Sequence, residues 1–244
     1  RGRPARNLRE LPLAVRAVGR RAGMGERDPP PPLGGELAGD GLPRGRQRGA
    51  RLRQFHQFGV EYFGTQDSKA DVDVIALLWR FLSDLALPDL TLEINSLGTA
   101  ADRAAYLPVL VSFLKSRIGD FCDNCRRRME TNPLRVLGCK VPGCRAATED
   151  APQLVSHLSP QAKSHFDEVL SAFAVLGIPW RLNPRLVRGL DYYCLTAFEI
   201  TSSHLGAQNA VGAGGRYDGL VELLGGPVTP AVGFAAGLER IAMM

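Results

Sequence analysis

No stretch of this 244-residue chain approaches the roughly 18 consecutive apolar residues that a membrane-spanning helix needs. Nothing near its start is typical of a signal peptide. Cysteine is scarce, and four of the five cysteines form two closely spaced pairs, which suits a metal site in a reducing compartment better than a disulfide framework. We therefore expect a soluble, cytoplasmic protein without a membrane partner, long enough for one large domain or two small ones.

The greater part of the chain also lacks a surplus of positive charge. The net charge is +5, but residues 1–50 hold eleven Arg and five acidic residues, whereas residues 51–244 hold nineteen basic and twenty acidic ones. The net charge of residues 51–244 therefore gives no support for a basic nucleic-acid-binding face on that part of the chain. An RNA partner can be argued only from motifs.

Residues 1–50 contain no aromatic residue, no Lys, no Ile and no Cys, and are rich in Arg, Gly, Ala and Pro. This composition is typical of a disordered basic tail. We treat 1–50 as an anomalous segment, separate from the rest of the chain.

From residue 51 onward, hydrophobic periodicity predicts strands that alternate with helices. The predicted strands and extended segments are 53–63, 90–94, 179–200 and 210–215. The predicted helices are 71–85, 100–118 with an interruption near Pro108, 152–176 and 218–224, with short elements over 122–144. This pattern favours an α+β domain around an antiparallel sheet.

Three separated stretches carry the functional signal: RQFHQFGVE at 53–61, RGLDYY at 188–193 and GFAAGLER at 233–240. The first and third resemble motifs 2 and 3 of the class II aminoacyl-tRNA synthetases, and the middle one resembles a signature of the histidyl-tRNA synthetase family. The resemblance covers 51–244. It implies a class II catalytic domain, an antiparallel sheet flanked by helices, with a helical insertion. The implied divisions are 51–97 (core with motif 2), 98–182 (insertion with the cysteines) and 183–244 (core with the histidine signature and motif 3).

The resemblance implies a homodimeric ligase that uses ATP with Mg²⁺ to convert L-histidine to histidyl-adenylate and passes histidine to tRNA(His). Attack of a carboxylate on the α-phosphate brings two anions together, so fixed cations must stabilise the transition state. Arginine suits this role because it stays charged and binds phosphate or carboxylate bidentately. By resemblance, Arg188 is the catalytic arginine at the histidine carboxylate and the α-phosphate. The residues implied at ATP are Arg51, Arg53 and, at the γ-phosphate, Arg240.

An imidazole substrate has two ring nitrogens, and a discriminating pocket offers a partner to each. Such a pocket rejects apolar isosteres, because they leave its polar groups unpaired. By resemblance, Glu61 and Tyr193 face the ring and Gln57 holds the α-amino group. The full set implied for histidine binding is Gln57, Glu61, Arg188, Tyr192, Tyr193, Ala213, Gly214 and Tyr217.

The cysteine pairs Cys122/Cys125 and Cys139/Cys144 are separated by thirteen residues. This spacing is compatible with a tetrahedral zinc site of four thiolates, which would be structural because it leaves no open position. The alternative is four free cysteines without a metal. Both interpretations stay open at this point.

Two other functions compete with the ligase. One is the synthetase-like regulatory subunit of ATP phosphoribosyltransferase, a non-catalytic histidine sensor with a similar fold; the wording RQFHQ at 53–57 favours the ligase. The other is a zinc-ribbon nucleic-acid module, which would leave the three motifs unexplained.

The chain departs from the family at both ends. Motif 1 and the Phe-Arg strand of motif 2 are not recognisable in 1–50, and the chain stops at the start of the motif 3 helix, before an anticodon-binding domain. Codons for 38–44 can be chosen so that a one-base shift encodes Arg-Ala-Met-Val-Phe-Arg, which suggests an out-of-frame translation. We expect such a chain by itself to activate histidine poorly or not at all.

Overall fold

The computed structural model describes residues 33–39 by their backbone, and residues 55–187, 192–206 and 209–244 in full. The chain divides into two compact units. The first takes the residues up to Thr91 and those from Glu199 onward, and the second is Leu92–Phe198. Within the described ranges, no helix has the length and apolar character required to cross a bilayer.

Strands and helices follow one another in mixed order along the described residues. The strands are β1 (Leu33–Gly39), β2 (Phe55–Phe63), β3 (Leu90–Ser96), β4 (Trp180–Leu182), β5 (Cys194–Ser202), β6 (Ala210–Arg216) and β7 (Ala231–Gly237). The helices are α1 (Ser68–Asp84), α2 (Ala100–Ser116), α3 (Asp123–Thr131), α4 (Leu134–Leu137), α5 (Pro142–Ala147), α6 (Pro160–Leu176), α7 (Leu220–Leu223) and α8 (Leu238–Ala242). The single-turn 3-10 helices are Ile118–Asp120, Leu154–His157 and Ser203–Leu205.

In the first unit, β1, β2, β7 and β6 are consecutive neighbours in an antiparallel sheet. The end of β5 follows β6, and the N–H of Ser202 donates to the carbonyl of Asn209 at 2.9 Å. β1 lies within 1–50, where the composition predicts no strand. The remainder of that segment, and with it the question of an out-of-frame origin, lies outside the described residues.

Helix α1 covers one face of this sheet. It begins three residues before the predicted start, because the Asp67 side chain caps it by accepting from the N–H of Lys69 at 2.9 Å. Its buried apolar residues recur at helical spacing, with Leu78 fully buried beneath β6. The ring of Phe58 on β2 packs edge-on against Phe81 and Phe234. The sheet face under α1 is therefore the apolar face.

In the second unit, β4 pairs with β3 in parallel, which the prediction of an antiparallel sheet does not include. The physical reason is the long helical connection between them, since parallel neighbours require a crossover. β3 in turn neighbours β5, and just after β3 the N–H of Leu97 donates to the carbonyl of Leu195 at 2.6 Å.

Helix α2 corrects a second expectation, because it runs through Pro108 without a break. Proline removes one backbone hydrogen bond, but its ring lies exposed while Tyr106, Leu110 and Leu114 bury the opposite face completely. Tertiary packing of that face holds the helix together across the missing bond.

The predicted helix 152–176 is shorter than expected. Ser159 caps α6 by accepting from the N–H of Ala162, and Pro160 occupies its first turn. The residues before this cap form the 3-10 helix Leu154–His157. The helix-start signal at Ser159 and Pro160 therefore divides the apolar pattern of residues 152–176 into two helical elements.

Candidate active site and cysteine cluster

Strand register places small residues together on the sheet face opposite α1. Glu61 lies opposite Gly233 on β7, and Gly233 lies opposite Gly215 on β6. In the next row Gly59, Ala235 and Ala213 are partners in the same way. Residues directly opposite one another in an antiparallel pair share a face. These positions form a surface of Gly and Ala, which we call the glycine floor: Gly59, Ala213, Gly215, Gly233, Ala235 and Gly237.

Glu61 is the buried carboxylate of this floor, with 5% of its surface exposed. The phenol of Tyr217, itself fully buried, donates a hydrogen bond to Oε2 of Glu61. Burial raises the pKa of Glu61 to about 8, because a charged carboxylate loses hydration there. The pair therefore presents a polar, protonatable group at the bottom of an otherwise small-residue surface.

Gly233 makes room for that carboxylate. A Cβ at this position would lie 1.7 Å from Oε2 of Glu61 and 2.6 Å from the carbonyl oxygen of Val60. No side chain fits there without displacing Glu61 or the backbone of β2. The sequence signal for this role is only that motif 3 begins with glycine.

Arg240 lies at the other end of the same face. Its Nη1 donates to the carbonyl of Ala210 at 2.8 Å, and its Cδ lies 3.3 Å from where a Cβ of Gly237 would be. Gly237 is the register partner of Gln57, which is half-buried. Gln57 and Glu61 are four residues apart on one strand face, roughly 13 Å along β2.

A contact between β2 and α8 joins the first and third motifs. The N–H of His56 donates to both carboxylate oxygens of Glu239 at 2.8 Å, and Nδ1 of His56 lies 2.7 Å from Oε1. Burial works against ionisation of Glu239, yet these bonds to His56 leave its pKa below the usual value. The contact fixes the start of α8, and hence Arg240, relative to β2.

Arg216 is a buried cation that the motif analysis did not single out. It is fully buried and donates through Nε to Oδ2 of Asp71 at 3.0 Å, through Nη1 to Oδ1 of Asp218 at 3.1 Å, and to the backbone carbonyls of Thr65 and Asp67 at 2.8 and 3.0 Å. It directly precedes Tyr217, so this network seats the phenol that contacts Glu61. The sequence feature that could have identified Arg216 is the RYD triplet at 216–218.

The residues predicted for the site fall into four groups, the last of which is the pair Tyr192 and Tyr193. Gln57, Glu61, Ala213 and Tyr217 lie in the first unit around the glycine floor. Gly214 lies on the opposite face of β6, beside Gly212, whose Cβ would lie 2.9 Å from Leu78 on α1; it offers the site only its backbone. The predicted residues outside the described part of the chain are Arg51, Arg53 and Arg188.

Tyr192 and Tyr193 belong to the second unit. Both are half-buried, and their rings lie 4.7 Å apart at 33°. The carbonyl of Tyr193 accepts from Nη1 of Arg103 at 3.1 Å, and the same nitrogen also bonds to the carbonyls of Leu97 and Gly98. Arg103 thus fixes the backbone that leads into β5.

The four paired cysteines converge in the second unit. The sulfur atoms of Cys122, Cys125, Cys139 and Cys144 all lie within 4.8 Å of one another. The N–H of Cys122 points at Sγ of Cys144 at 3.3 Å. A hydrogen bond from the backbone of Cys125 lowers the pKa of Cys122 to about 7. Burial raises the pKa of Cys125 and of Cys144. We refer to these four residues as the cysteine cluster.

The antiparallel sheet, its glycine floor and the three motifs define the catalytic domain of a class II aminoacyl-tRNA synthetase. A family model described as histidyl-tRNA synthetase matches residues 38–241. The chain belongs to the histidyl-tRNA synthetase family.

Individual relatives agree with this assignment. The chain is 52% identical over 201 residues to a histidine–tRNA ligase of Maridesulfovibrio salexigens, covering 82% of this chain and 49% of that protein. It resembles the crystal structure of apo histidyl-tRNA synthetase of S. aureus with a TM-score of 0.71 and 33% identity, covering 94% of this chain and 54% of that one. The chain therefore spans about half the length of the curated relatives it matches.

A third likeness shows the fold alone. A Bacillus halodurans structure titled as an ATP phosphoribosyltransferase regulatory subunit/histidyl-tRNA synthetase has a TM-score of 0.63 at 21% identity, covering 94% of this chain and 62% of that one. At this identity it carries no argument about function.

Proposed function

We propose that this chain is part of a histidine–tRNA ligase, which activates L-histidine with MgATP and transfers the histidyl group to tRNA(His). The observation that carries the proposal is the buried Glu61–Tyr217 pair beside the glycine floor. A buried carboxyl and phenol can bond to an imidazole, while the small residues leave room for a planar ring.

The arrangement along the floor also suits the second substrate. Arg240 stands at the end away from Glu61, so an adenylate-forming pair of substrates can place its phosphates near the guanidinium and the imidazole near the carboxyl. We assign to Gln57, on the same face, the role of accepting from the α-ammonium group of histidine through its side-chain oxygen. From the family motifs we extend the ATP contacts to Arg51 and Arg53, and the substrate contacts to Arg188, Tyr192 and Tyr193.

In the proposed reaction the histidine carboxylate attacks the α-phosphorus of ATP, an oxygen–phosphorus bond forms, and pyrophosphate leaves. Arg188 offsets the repulsion between the two anions as they approach, and Arg240 holds the leaving phosphates. The adenylate carbonyl is then attacked by the terminal ribose hydroxyl of the tRNA, and AMP leaves. A homodimer, as the family motifs imply, is the expected assembly of the whole ligase.

Calorimetric titration of L-histidine, with and without MgATP, tests the first part of the proposal. We expect L-histidine to bind, and amino acids of similar shape that lack the two ring nitrogens to bind far more weakly. Glu61→Gln should reduce this difference in affinity. Failure of histidine to bind better than phenylalanine would overturn the assignment of the pocket.

Histidine-dependent exchange between ATP and pyrophosphate tests the chemistry, and it is measured on the whole ligase because this chain by itself is expected to activate histidine poorly. Arg188→Ala is expected to lower the rate of exchange much more than the affinity for histidine, because its charge is needed chiefly in the transition state. An equal loss in both would contradict the catalytic role of Arg188. Histidine binding by the whole ligase with no exchange under any condition would favour a non-catalytic histidine sensor.

We also propose that the cysteine cluster holds one structural Zn²⁺. Zinc–sulfur bonds of about 2.3 Å give sulfur–sulfur distances of roughly 3.8 Å in a tetrahedron, so the present spacing needs only a small contraction. Residues 122–145 carry six basic and two acidic side chains, a surplus that offsets the net negative charge of a zinc tetrathiolate. When bound, the ion would cross-link three short helical segments.

Native mass spectrometry of the reduced chain measures this directly. We expect one zinc per chain, lost in Cys125→Ser and retained in Cys194→Ser, a matched control because Cys194 lies outside the cysteine cluster. A metal-free chain after purification with zinc present would refute the site.

A further inference from the structure

The segment Pro184–Val187 enters the RGLDYY stretch, since Val187 is followed directly by residue 188. It is an irregular connection held by local bonds: the N–H of Leu186 donates to Asn183 and the N–H of Val187 to Arg185, both at 2.9 Å. From the side of β3, Nδ2 of Asn95 donates to the carbonyl of Leu186 at 3.1 Å. Short local bonds of this kind leave a segment dependent on its surroundings.

Its other support comes from residues that flank cluster cysteines. Gly138 precedes Cys139, and a Cβ there would lie 3.2 Å from Cγ2 of Val187. The Val187 side chain therefore packs closely against the backbone at 138. It also packs against the apolar core that contains Cys125 and Cys144.

A second contact flanks the other cysteine of the same pair. Arg145 follows Cys144, and its carbonyl accepts from Nη2 of Arg185 at 2.9 Å. Gly138 and Arg145, which contact Val187 and Arg185, are thus each one position from a cluster cysteine. Whatever fixes Cys139 and Cys144 also fixes the support for Arg185 and Val187.

Backbone structure alone holds these cysteines weakly. α4 has four residues and α5 has six, which is too short for either helix to persist without external contacts. A metal ion bound to all four cysteines would hold them in place through four metal–sulfur bonds, which are much stronger than this local order.

We propose that the cysteine cluster is a positioning device for the catalytic signature: metal bound to Cys139 and Cys144 fixes Gly138 and Arg145, which hold the segment Pro184–Val187 ahead of Arg188. The structural part rests on the proposed zinc site, and its catalytic consequence rests on the proposed function. Metal occupancy would then control how firmly the segment that leads into the catalytic signature is held.

Hydrogen–deuterium exchange on the whole chain, with zinc bound and after removal by a chelator, tests this without reference to activity. With zinc, the amides of Leu186 and Val187 are expected to exchange about fivefold more slowly, the effect of one hydrogen-bonded contact. Val187→Ala should keep its zinc but lose most of this metal-dependent protection. Val175→Ala is the matched control, because Val175 is 88% exposed on α6 in the same unit, and it should behave as the wild type.

The possible outcomes distinguish the zinc site from the positioning role that depends on it. Stoichiometric zinc with unchanged exchange at Leu186 and Val187 would overturn the positioning role and leave the zinc site intact. Absence of zinc would refute both. Loss of zinc-dependent protection in the Val175→Ala control would show a general loosening of the unit and would also overturn the specific role. Histidine binding, measured separately, reports on the proposed function alone.

Discussion

The carboxylate of Glu61 lies directly over Gly233, so close that a methyl group on Gly233 would overlap Oε2. The two residues are register partners on β2 and β7. They are 172 positions apart in the chain and belong to the first and third motifs. This pairing explains why a glycine must open the third motif. It leads to the first prediction.

Gly233→Ala should displace the Glu61 carboxylate and weaken histidine binding by about 1–3 kcal/mol, the cost of a misplaced buried hydrogen-bonding group. Titration calorimetry measures the change. Gly219→Ala is the matched control, since nothing lies within 4 Å of a Cβ there, and it should bind histidine as the wild type does. Equal affinities in the two variants would show that Glu61 does not contact the substrate.

The raised pKa of Glu61 gives a pH dependence of unfolding. In the folded chain the carboxyl keeps its proton until about pH 8, whereas the unfolded chain releases it near the ordinary value. The unfolded state therefore holds fewer protons between these values, and stability falls as pH rises through this window, by up to about 1.4 kcal/mol per pH unit. Denaturant unfolding of the ligand-free protein at several pH values measures this.

Glu61→Gln removes the titrating group. The variant should lose this part of the pH dependence and be more stable than the wild type near pH 8, although it binds histidine less well. A wild type whose stability does not change between pH 5 and 8, taken relative to Glu61→Gln, would contradict the raised pKa.

Arg216 should be the most sensitive charged residue of the first unit. Arg216→Met leaves Asp71 buried with its principal cation removed, and we expect a loss of about 3–5 kcal/mol in the free energy of unfolding. Arg80→Met serves as the control, because Arg80 is exposed on α1, and its stability should change little. Chemical denaturation followed by circular dichroism compares the two.

Asp102 ties the starts of two helices in the second unit. Its Oδ2 accepts from the N–H of Thr99 at 2.8 Å and its Oδ1 from the N–H of Ser159 at 2.9 Å. Burial opposes its ionisation, but the bonds from Thr99 and Ser159 are together stronger and lower its pKa. Because the folded pKa is depressed, the stabilisation is present above the ordinary Asp pKa and is lost as pH falls below it.

Asp102→Asn should therefore cost about 1–2 kcal/mol at neutral pH, as the loss of a helix cap does, and should unfold with less dependence on acid pH than the wild type. Thermal unfolding at pH 7 and at acid pH measures both. Unchanged stability at pH 7 would show that the two helix starts do not depend on this carboxylate.

Several local features follow from the sequence without tertiary information. The strand predicted over 53–63 implies that Gln57, Gly59 and Glu61 share a face of β2, because side chains alternate strictly along a strand. Helical spacing likewise predicts the buried side of α1. Local patterns fail where packing competes with them, as at Pro108, where the buried face of α2 outweighs one missing backbone bond.

The sequence by itself determined the family, through three motifs whose residue types match the chemistry of adenylate formation, and it marked four cysteines whose spacing suits a metal. Only the tertiary structure decided which residues meet. The register of β2, β7 and β6 brings Glu61, Gly233 and Gly215 into one row, and folding of the second unit brings four sulfur atoms together. The physical reason is that both arrangements depend on contacts between residues far apart in the chain, which local propensity and periodicity do not encode.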